Sequence, residues 1–359
     1  MLALVGLLGS CGLVTSMWGK PDHFVPRDRR PRSATDLLDL RGVVHCHSFH
    51  SHDSTGTIEE IGAACESIGM DFLIMTDHPS PYSVSRGQRG MVGDTLFLTG
   101  AEIRVPGGTL LAFPLKHYVR PHKTLQAILD DIHGQGGLAF VGHAERYTRW
   151  EHLGIDGVEV HNLHAAAKAG SVPWMVLKTL FMPLRVLFWS LAVPDRRVFA
   201  NWDGFNARKM VPAVGGNDAH SNIRLLGPLG WVLGNYDEIF SVMSTHVLAE
   251  RLDQESLVEG IRRGRTYIVM DIWSGGSGFA FWAVDRGVAH EMGATVARDA
   301  TLHVRSPQDA EIRLLRGGDF AARGTGRTFE FKPKAAGVYR VEVWLDGEPW
   351  IFSSPIRVK

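Results

Sequence analysis

The residues of this chain best suited to chemistry begin with His45-Cys46-His47, followed by Asp53 and by Thr76-Asp77-His78. Two imidazoles on alternate residues at a strand end share one face. Glu102, His143, His161, Asp218 and His220 continue the series, and Asp218 and His220 repeat the alternate spacing of His45 and His47. Imidazole and carboxylate donors without thiolates suit Zn, Mn or Fe(II). Two or three such ions placed side by side hold phosphoryl oxygens and share a hydroxide that is nucleophilic at neutral pH. A ligand that bridges two ions needs two oxygens, and Glu102 is the natural candidate. The chemistry these residues suggest is hydrolysis, with a structural metal clip as the alternative. Cys46 should point to the opposite, packed side of its strand.

Positioning such groups requires strand ends. From about residue 40 to 271, short apolar runs alternate with amphipathic helices. Strands are expected at 42–48, 71–78, 95–103, 110–115, 138–143, 157–161 and 211–214. Thr57-Ile58-Glu59-Glu60 is a capping-box pattern that opens a helix through Ile68, and Gly69 stops it. Such alternation predicts an α/β fold with parallel strands. The ligand-type residues fall at the C-terminal ends of the strands, where (β/α) barrels build their active sites. An open doubly wound sheet is the alternative, but no GxGxxG or GxxxxGK[ST] loop follows a strand. After about residue 275 the pattern is β only, and residues 338–345 alternate with period two. A small all-β domain of Ig-like sandwich type is expected over 275–359.

A chain of 359 residues suits one large domain and a smaller one. A formal net charge of zero gives no basic footprint for nucleic acid. Three Cys without a CxxC pair argue against a disulfide scaffold or a thiolate zinc finger. Residues 1–18 carry no charge. Within them Leu8-Gly9-Ser10-Cys11 resembles a bacterial lipoprotein box, and an uncleaved membrane anchor or a buried helix are the alternatives. Residues 1–19 are therefore expected to attach the protein to the membrane at the bacterial cell envelope. Residues 20–39, rich in Pro and Arg, are expected to be a linker. The hydrolase domain then spans 40–272 with an apolar helical insertion at 165–210. Within it, residues 172–193 carry only Lys178 and Arg185 as charges. A buried insertion, a membrane-surface contact and a subunit contact are all open there.

Together, His45-x-His47, Asp53, Thr76-Asp77-His78, Gly100-Ala101-Glu102, Gly142-His143 and Asp218-Ala219-His220 resemble the PHP (polymerase and histidinol phosphatase) family. The likeness covers roughly residues 42–271. It implies a distorted (β/α)7 barrel, two to three divalent metal ions, and hydrolysis of a phosphomonoester or phosphodiester. It also implies the branch in which a small β domain follows the barrel. By this resemblance, His45, His47, Asp218 and a bridging Glu102 bind the first metal. Asp53, His78 and His220 bind another, and His143 belongs to the remaining one. Many members place a His shortly after the Glu, where this chain has Gly107-Gly108-Thr109. His161 is the candidate replacement, and without it two metals are expected.

The expected partner is a small phosphate ester. Arg86, Arg89 and Arg146 are candidates to clamp its phosphate. His78, His220, His50 and Asp77 are candidates to protonate the leaving oxygen. The alternatives are a metal-poor module with a structural or binding role at the envelope, and a metallohydrolase of a non-phosphate ester or amide.

Overall fold

The computed structural model describes residues 27, 29, 33–120, 124–169, 184–220, 223–225 and 231–359. Residues 1–26 with Cys11, most of the expected linker, and residues 170–183 of the apolar insertion lie outside the described residues.

The apolar runs become strands. In chain order they are β1 (Leu38–Cys46), β2 (Phe72–Met75), β3 (Gly90–Val92), β4 (Thr95–Thr99), β5 (Ala101–Val105), β6 (Gly108–Phe113), β7 (Leu138–Gly142), β8 (Gly157–Asn162) and β9 (Ala213–Ala219). The short β10 (Ile223–Leu225) and β11 (Trp231–Leu233) pair with each other, and β12 (Ser244–Ala249) and β13 (Thr266–Val269) follow. The result is a mixed α/β protein on a large sheet. Strands β7, β8, β9, β1, β2 and β4 pair in that order, all in parallel. On the far side, β5 pairs antiparallel with β6, and β6 with β7.

The run expected as one strand over 95–103 is two. A Cβ on Gly100 would overlap the Ala112 carbonyl, so the chain passes there without one. The break lets β4 pair with β2 while β5 turns to pair with β6. Glu102 sits just past it.

Helices cover the strands as expected. Ile58–Ile68 carries the Thr57–Glu60 capping box and ends at Gly69 in the left-handed conformation. Its buried face, with Ile61 and Cys65, packs against Cys46, Leu73 and Phe97. Cys46 thus points away from the neighbouring histidines, into packed surface.

β12 pairs antiparallel with the first half of β1, then with β13, and β13 pairs with the strand Glu348–Ser353. The sheet therefore runs on without a break into residues 280–358, which are β strands with no helix among them. Their core, with Phe281, Val341 and Trp350, includes Tyr267 and Val269 of β13. β1 begins at Leu38, inside the stretch expected as linker. Before it, Arg27 and Arg29 pair with Glu66 and Asp71 at 2.7 and 2.9 Å. Leu184–Leu191 is helical, and the Trp189 ring lies tilted at 42° to that of Trp273 with centroids 5.5 Å apart. Among the described residues, no helix is long and apolar enough to cross a membrane.

Candidate metal centre

The parallel strands end on one side of the sheet, and the predicted donors meet there. His45 Nε2 and His47 Nε2 each lie 3.3 Å from Asp218 Oδ1. The same two nitrogens are 3.5 and 3.4 Å from Glu102 Oε2. The other oxygen of Glu102 is 3.2 Å from His143 Nε2. Asp53 Oδ2 lies 3.1 Å from His78 Nε2 and 3.4 Å from His220 Nε2. Five donor triads result among the described residues: His45-His47-Asp218, His45-Glu102-His143, His47-His78-Glu102, His47-Asp53-His220 and the more exposed His52-Asp53-His78.

The chemistry of these atoms fits a metal. His45 Nε2, His47 Nε2 and Asp218 Oδ1 are buried and have no hydrogen-bond partner. Leaving such atoms unpaired costs about 1–3 kcal/mol each. Tetrahedral ligands with bonds of about 2.0–2.1 Å stand about 3.3–3.4 Å apart. The Nε2–Oδ1 separations of 3.3 Å match that spacing. Glu102 presents its two oxygens to different imidazoles, as a bridging carboxylate must.

Local backbone, and not strand alternation alone, aims these groups. His45, His143 and Asp218 have φ of 68°, 47° and 50°. Non-glycine residues rarely adopt such angles, which cost about 1–3 kcal/mol each and cluster at functional sites. The pairing of β1 with both neighbours slips between Val44 and Cys46, so His45 occupies a bulge. The simple same-face alternation expected for His45 and His47 is therefore replaced by a bulge that turns both rings inward.

The carboxylates and imidazoles of the cluster shift one another's protonation. Burial opposes protonation of His45, but Asp218 and Glu159 hold its pKa well above the usual value. Burial also opposes ionisation of Glu102, yet the His143 and His45 imidazoles beside it hold it well below the usual carboxylate range. His220 is pushed down to about 4 by burial and by the neighbouring His47. For His143 burial works downward, but Glu102 and Glu145 raise it to about 10.

The sign of the pH effect follows. A folded pKa of about 10 for His143 stands above an unfolded value of about 6.5. Its stabilisation in the metal-free chain is complete below about pH 6.5 and lost as pH rises towards 10. Metal requires the deprotonated ring and so gains in the same window. The rise in melting temperature on adding Mn(II) to metal-free protein is expected to grow between about pH 6 and pH 9. A rise that stays constant or shrinks with pH contradicts the assignment.

Some expected residues lie elsewhere. His161 is not in the cluster; its Nε2 donates to the Leu191 carbonyl at 2.7 Å. It therefore does not supply the ring expected near residues 107–109. Thr109, at that position, lies on β6 opposite Gly142, beside His143. Arg89 is held by the carbonyls of Val84, Gly87 and Leu115 at 2.6–3.1 Å, so it serves loop structure and not a ligand. Arg86 stacks its guanidinium over Tyr82, 5.0 Å from the ring centroid. Arg146 is largely exposed, 3.7 Å from Glu145. Asp77 accepts from the Ser48 backbone and from the Ser48 and Ser51 hydroxyls, which commits it to shaping the first loop.

Other residues went unnoticed in the sequence. Glu159, 1% exposed, sets Oε1 2.6 Å from His45 Nδ1. Asn162 donates to Asp218 Oδ2 at 3.1 Å. His164 sets its ring 5.0 Å from that of His220. The signal for Glu159 was a carboxylate inside an apolar strand, where charge is buried only with a partner. A Cβ on Gly216 would overlap the Glu159 carboxylate, which explains the glycine there. Gly216→Ala is expected to displace Glu159 and lower both metal content and melting temperature. Wild-type values for both would show that the carboxylate can relocate freely.

No protein-family model matches the chain, and none of the curated proteins does. Among solved structures, this chain is similar to a PHP-like two-domain protein. That protein, from Bacteroides vulgatus, contains a predicted PHP-like metal-dependent phosphoesterase. It is 14% identical, with a TM-score of 0.46 over 92% of this chain and 99% of its own. PsfC of Pseudomonas syringae is 11% identical, with a TM-score of 0.42 over 65% of this chain and 91% of its own. An amidohydrolase of Chromobacterium violaceum, with bound sulfate and no metal, is 17% identical. Its TM-score is 0.30 over 52% of this chain and 92% of its own.

Proposed function

We propose that the chain is a metal-dependent phosphoesterase of PHP type, hydrolysing a small phosphomonoester or phosphodiester. The observation that carries this reading is the convergence of His45 Nε2, His47 Nε2 and Asp218 Oδ1, buried and without hydrogen-bond partners. A metal-poor binding module has no use for two ring nitrogens packed 3.3 Å from one carboxylate oxygen without a hydrogen bond among them. In this reading the parallel strands β7, β8, β9, β1, β2 and β4, continued through Gly100 into β5 and β6, are the (β/α)7 barrel. Residues 275–359 form its Ig-like companion.

His45, His47, Asp218 and Glu102 would hold the first ion, and Asp53, His78 and His220 a second. Glu102 and His143 would hold a third, for which Thr109 offers no ring. Bound divalent ions, of Zn, Mn or Fe type, would supply charge for phosphoryl oxygens and lower the pKa of a water. The protein holds the donors in place, burying His45, His47 and Asp218 away from bulk water. Arg146, three residues after His143 and exposed, is the cation we favour for a substrate phosphate, with Arg86 as the alternative. A ligand imidazole is a poor proton donor. Protonation of the leaving oxygen therefore falls to His50 or to solvent. Residues 1–19 support attachment to the bacterial envelope, with lipid on Cys11 as the reading we favour.

The test is metal analysis of gently purified full-length protein, with turnover measured on aryl phosphate monoesters and diesters. Stoichiometric metal and metal-dependent hydrolysis of one ester class are expected. Sub-stoichiometric metal with no turnover of either class overturns the proposal.

A further inference from the structure

We infer that Glu159 is a positioning residue that ties two of the metal positions together by accepting hydrogen bonds at both ends of its carboxylate. The inference rests on the metal-centre reading, and it goes beyond the ligands themselves.

At one end, Oε1 lies 2.6 Å from His45 Nδ1. A carboxylate only accepts, so His45 must carry its proton on Nδ1. In the neutral ring, the form that binds a metal, the Nε2 lone pair is then the one aimed at the cluster, 3.3 Å from Asp218 Oδ1. At the other end, Oε2 accepts the backbone N–H of His143 at 2.7 Å. That bond holds a residue whose φ of 47° is unfavourable for any side chain but glycine. The same Oε2 accepts from Asn162 Nδ2 at 3.2 Å, and Nδ2 also donates to Asp218 Oδ2 at 3.1 Å. The Asn162 amide is fixed in this sense, because its Oδ1 accepts the Ala165 N–H at 2.7 Å.

One carboxylate thus sets the tautomer of His45, the backbone of His143 and, through Asn162, the oxygen of Asp218. His45 and Asp218 belong to one donor triad, and His143 with Glu102 to another. Gly216 leaves the space this carboxylate occupies, since a Cβ there would overlap it. Only a group with acceptors at both ends fits. In Glu159→Gln one end becomes an NH2. Either it faces His45 Nδ1 and drives the proton to Nε2, or it faces the His143 N–H and the Asn162 NH2, donor against donor. Carboxylates that orient ligating imidazoles are worth about 10–100-fold in metal affinity.

The experiment titrates Zn(II) and, separately, Mn(II) into metal-stripped full-length protein by calorimetry, with bound ions counted after dialysis. Glu159→Gln is expected to weaken binding by about 10–100-fold and to affect two ions. Glu145→Gln, whose one contact with the donor set is the His143 ring at 3.3 Å, is expected to weaken one. Unchanged affinity and stoichiometry in Glu159→Gln overturns the inference, as does an effect confined to one ion. If the variant does not fold, nitrogen-15 NMR of the metal-loaded wild type decides instead. A His45 proton on Nδ1 supports the inference, and a proton on Nε2 overturns it. Because the readout is metal and tautomer, a missing phosphoesterase activity would sink the proposed reaction and leave this inference standing.

Discussion

Asp218→Ala should reduce turnover at least about a thousandfold, equivalent to about 4 kcal/mol of transition-state stabilisation. Asp218 Oδ1 stands 3.3 Å from both His45 Nε2 and His47 Nε2, and Oδ2 stands 3.4 Å from His143 Nε2. With His220 Nδ1 at 3.6 Å, Asp218 contacts four imidazoles, and among the described residues only Glu102 contacts as many. Removing its charge leaves the central imidazoles without their main counter-charge. Burial opposes ionisation of Asp218, yet His45 and His47 hold its pKa well below the usual value. The variant should lose metal from the central position and still fold, because the strands beneath are held by apolar packing. The check is metal content and kcat, with circular dichroism confirming the fold. His45→Ala should behave alike. Wild-type turnover in either variant would refute the site.

The second large effect is on stability and lies where the two parts of the chain meet. Arg340, on the strand Gly337–Leu345, sets Nε and one NH2 2.8 and 2.9 Å from the two oxygens of Asp203. Asp203 is on the helix Arg196–Arg208 of the first part. The remaining NH2 group reaches Glu342 at 2.8 Å, and Arg196 joins the same carboxylate at 3.1 Å. The guanidinium also lies over Phe199 and Trp202, 5.0 and 5.5 Å from their centroids. Burial disfavours the charge on Arg340, but Asp203 and Glu342 outweigh it and raise its pKa. Arg340→Ala strands two buried carboxylates, and breaking such a pair costs about 3–5 kcal/mol. The double variant Arg340→Leu with Asp203→Leu should recover much of that loss, since a buried ion pair is often no better than packed apolar groups. Thermal unfolding measures both. A single variant as stable as wild type would show that this network does not hold the parts together. Metal content of the folded fraction should not change, because the donors lie at other strand ends.

How much was legible can be judged residue by residue. His45, His47, Asp53, His78, Glu102, His143, Asp218 and His220 could be named from type and order, because metal donors at strand ends leave few other uses for such residues. The structure brings all eight into one cluster. The helix over 58–68 was legible because Thr57, Glu60 and Gly69 act through contacts with residues a few positions away. His161 was misplaced because its partner is the Leu191 carbonyl, thirty residues on. Arg89 was misplaced for the same reason, since Leu115 O lies twenty-six residues away. No local pattern reveals such contacts. The position of Glu102 was right while its strand was wrong, because the break at Gly100 depends on the Ala112 carbonyl of another strand.

The sequence by itself determined the donor chemistry, the alternation of strands and helices, and the switch to β structure after about residue 275. These depend on residue type and short-range periodicity. Only the tertiary structure decided the bulge at His45, the left-handed backbone of His143 and Asp218, and the burial of Glu159 behind His45. Those features come from packing between strands distant in sequence, where a missing Cβ at Gly216 and an accepted N–H at His143 set the aim of each donor.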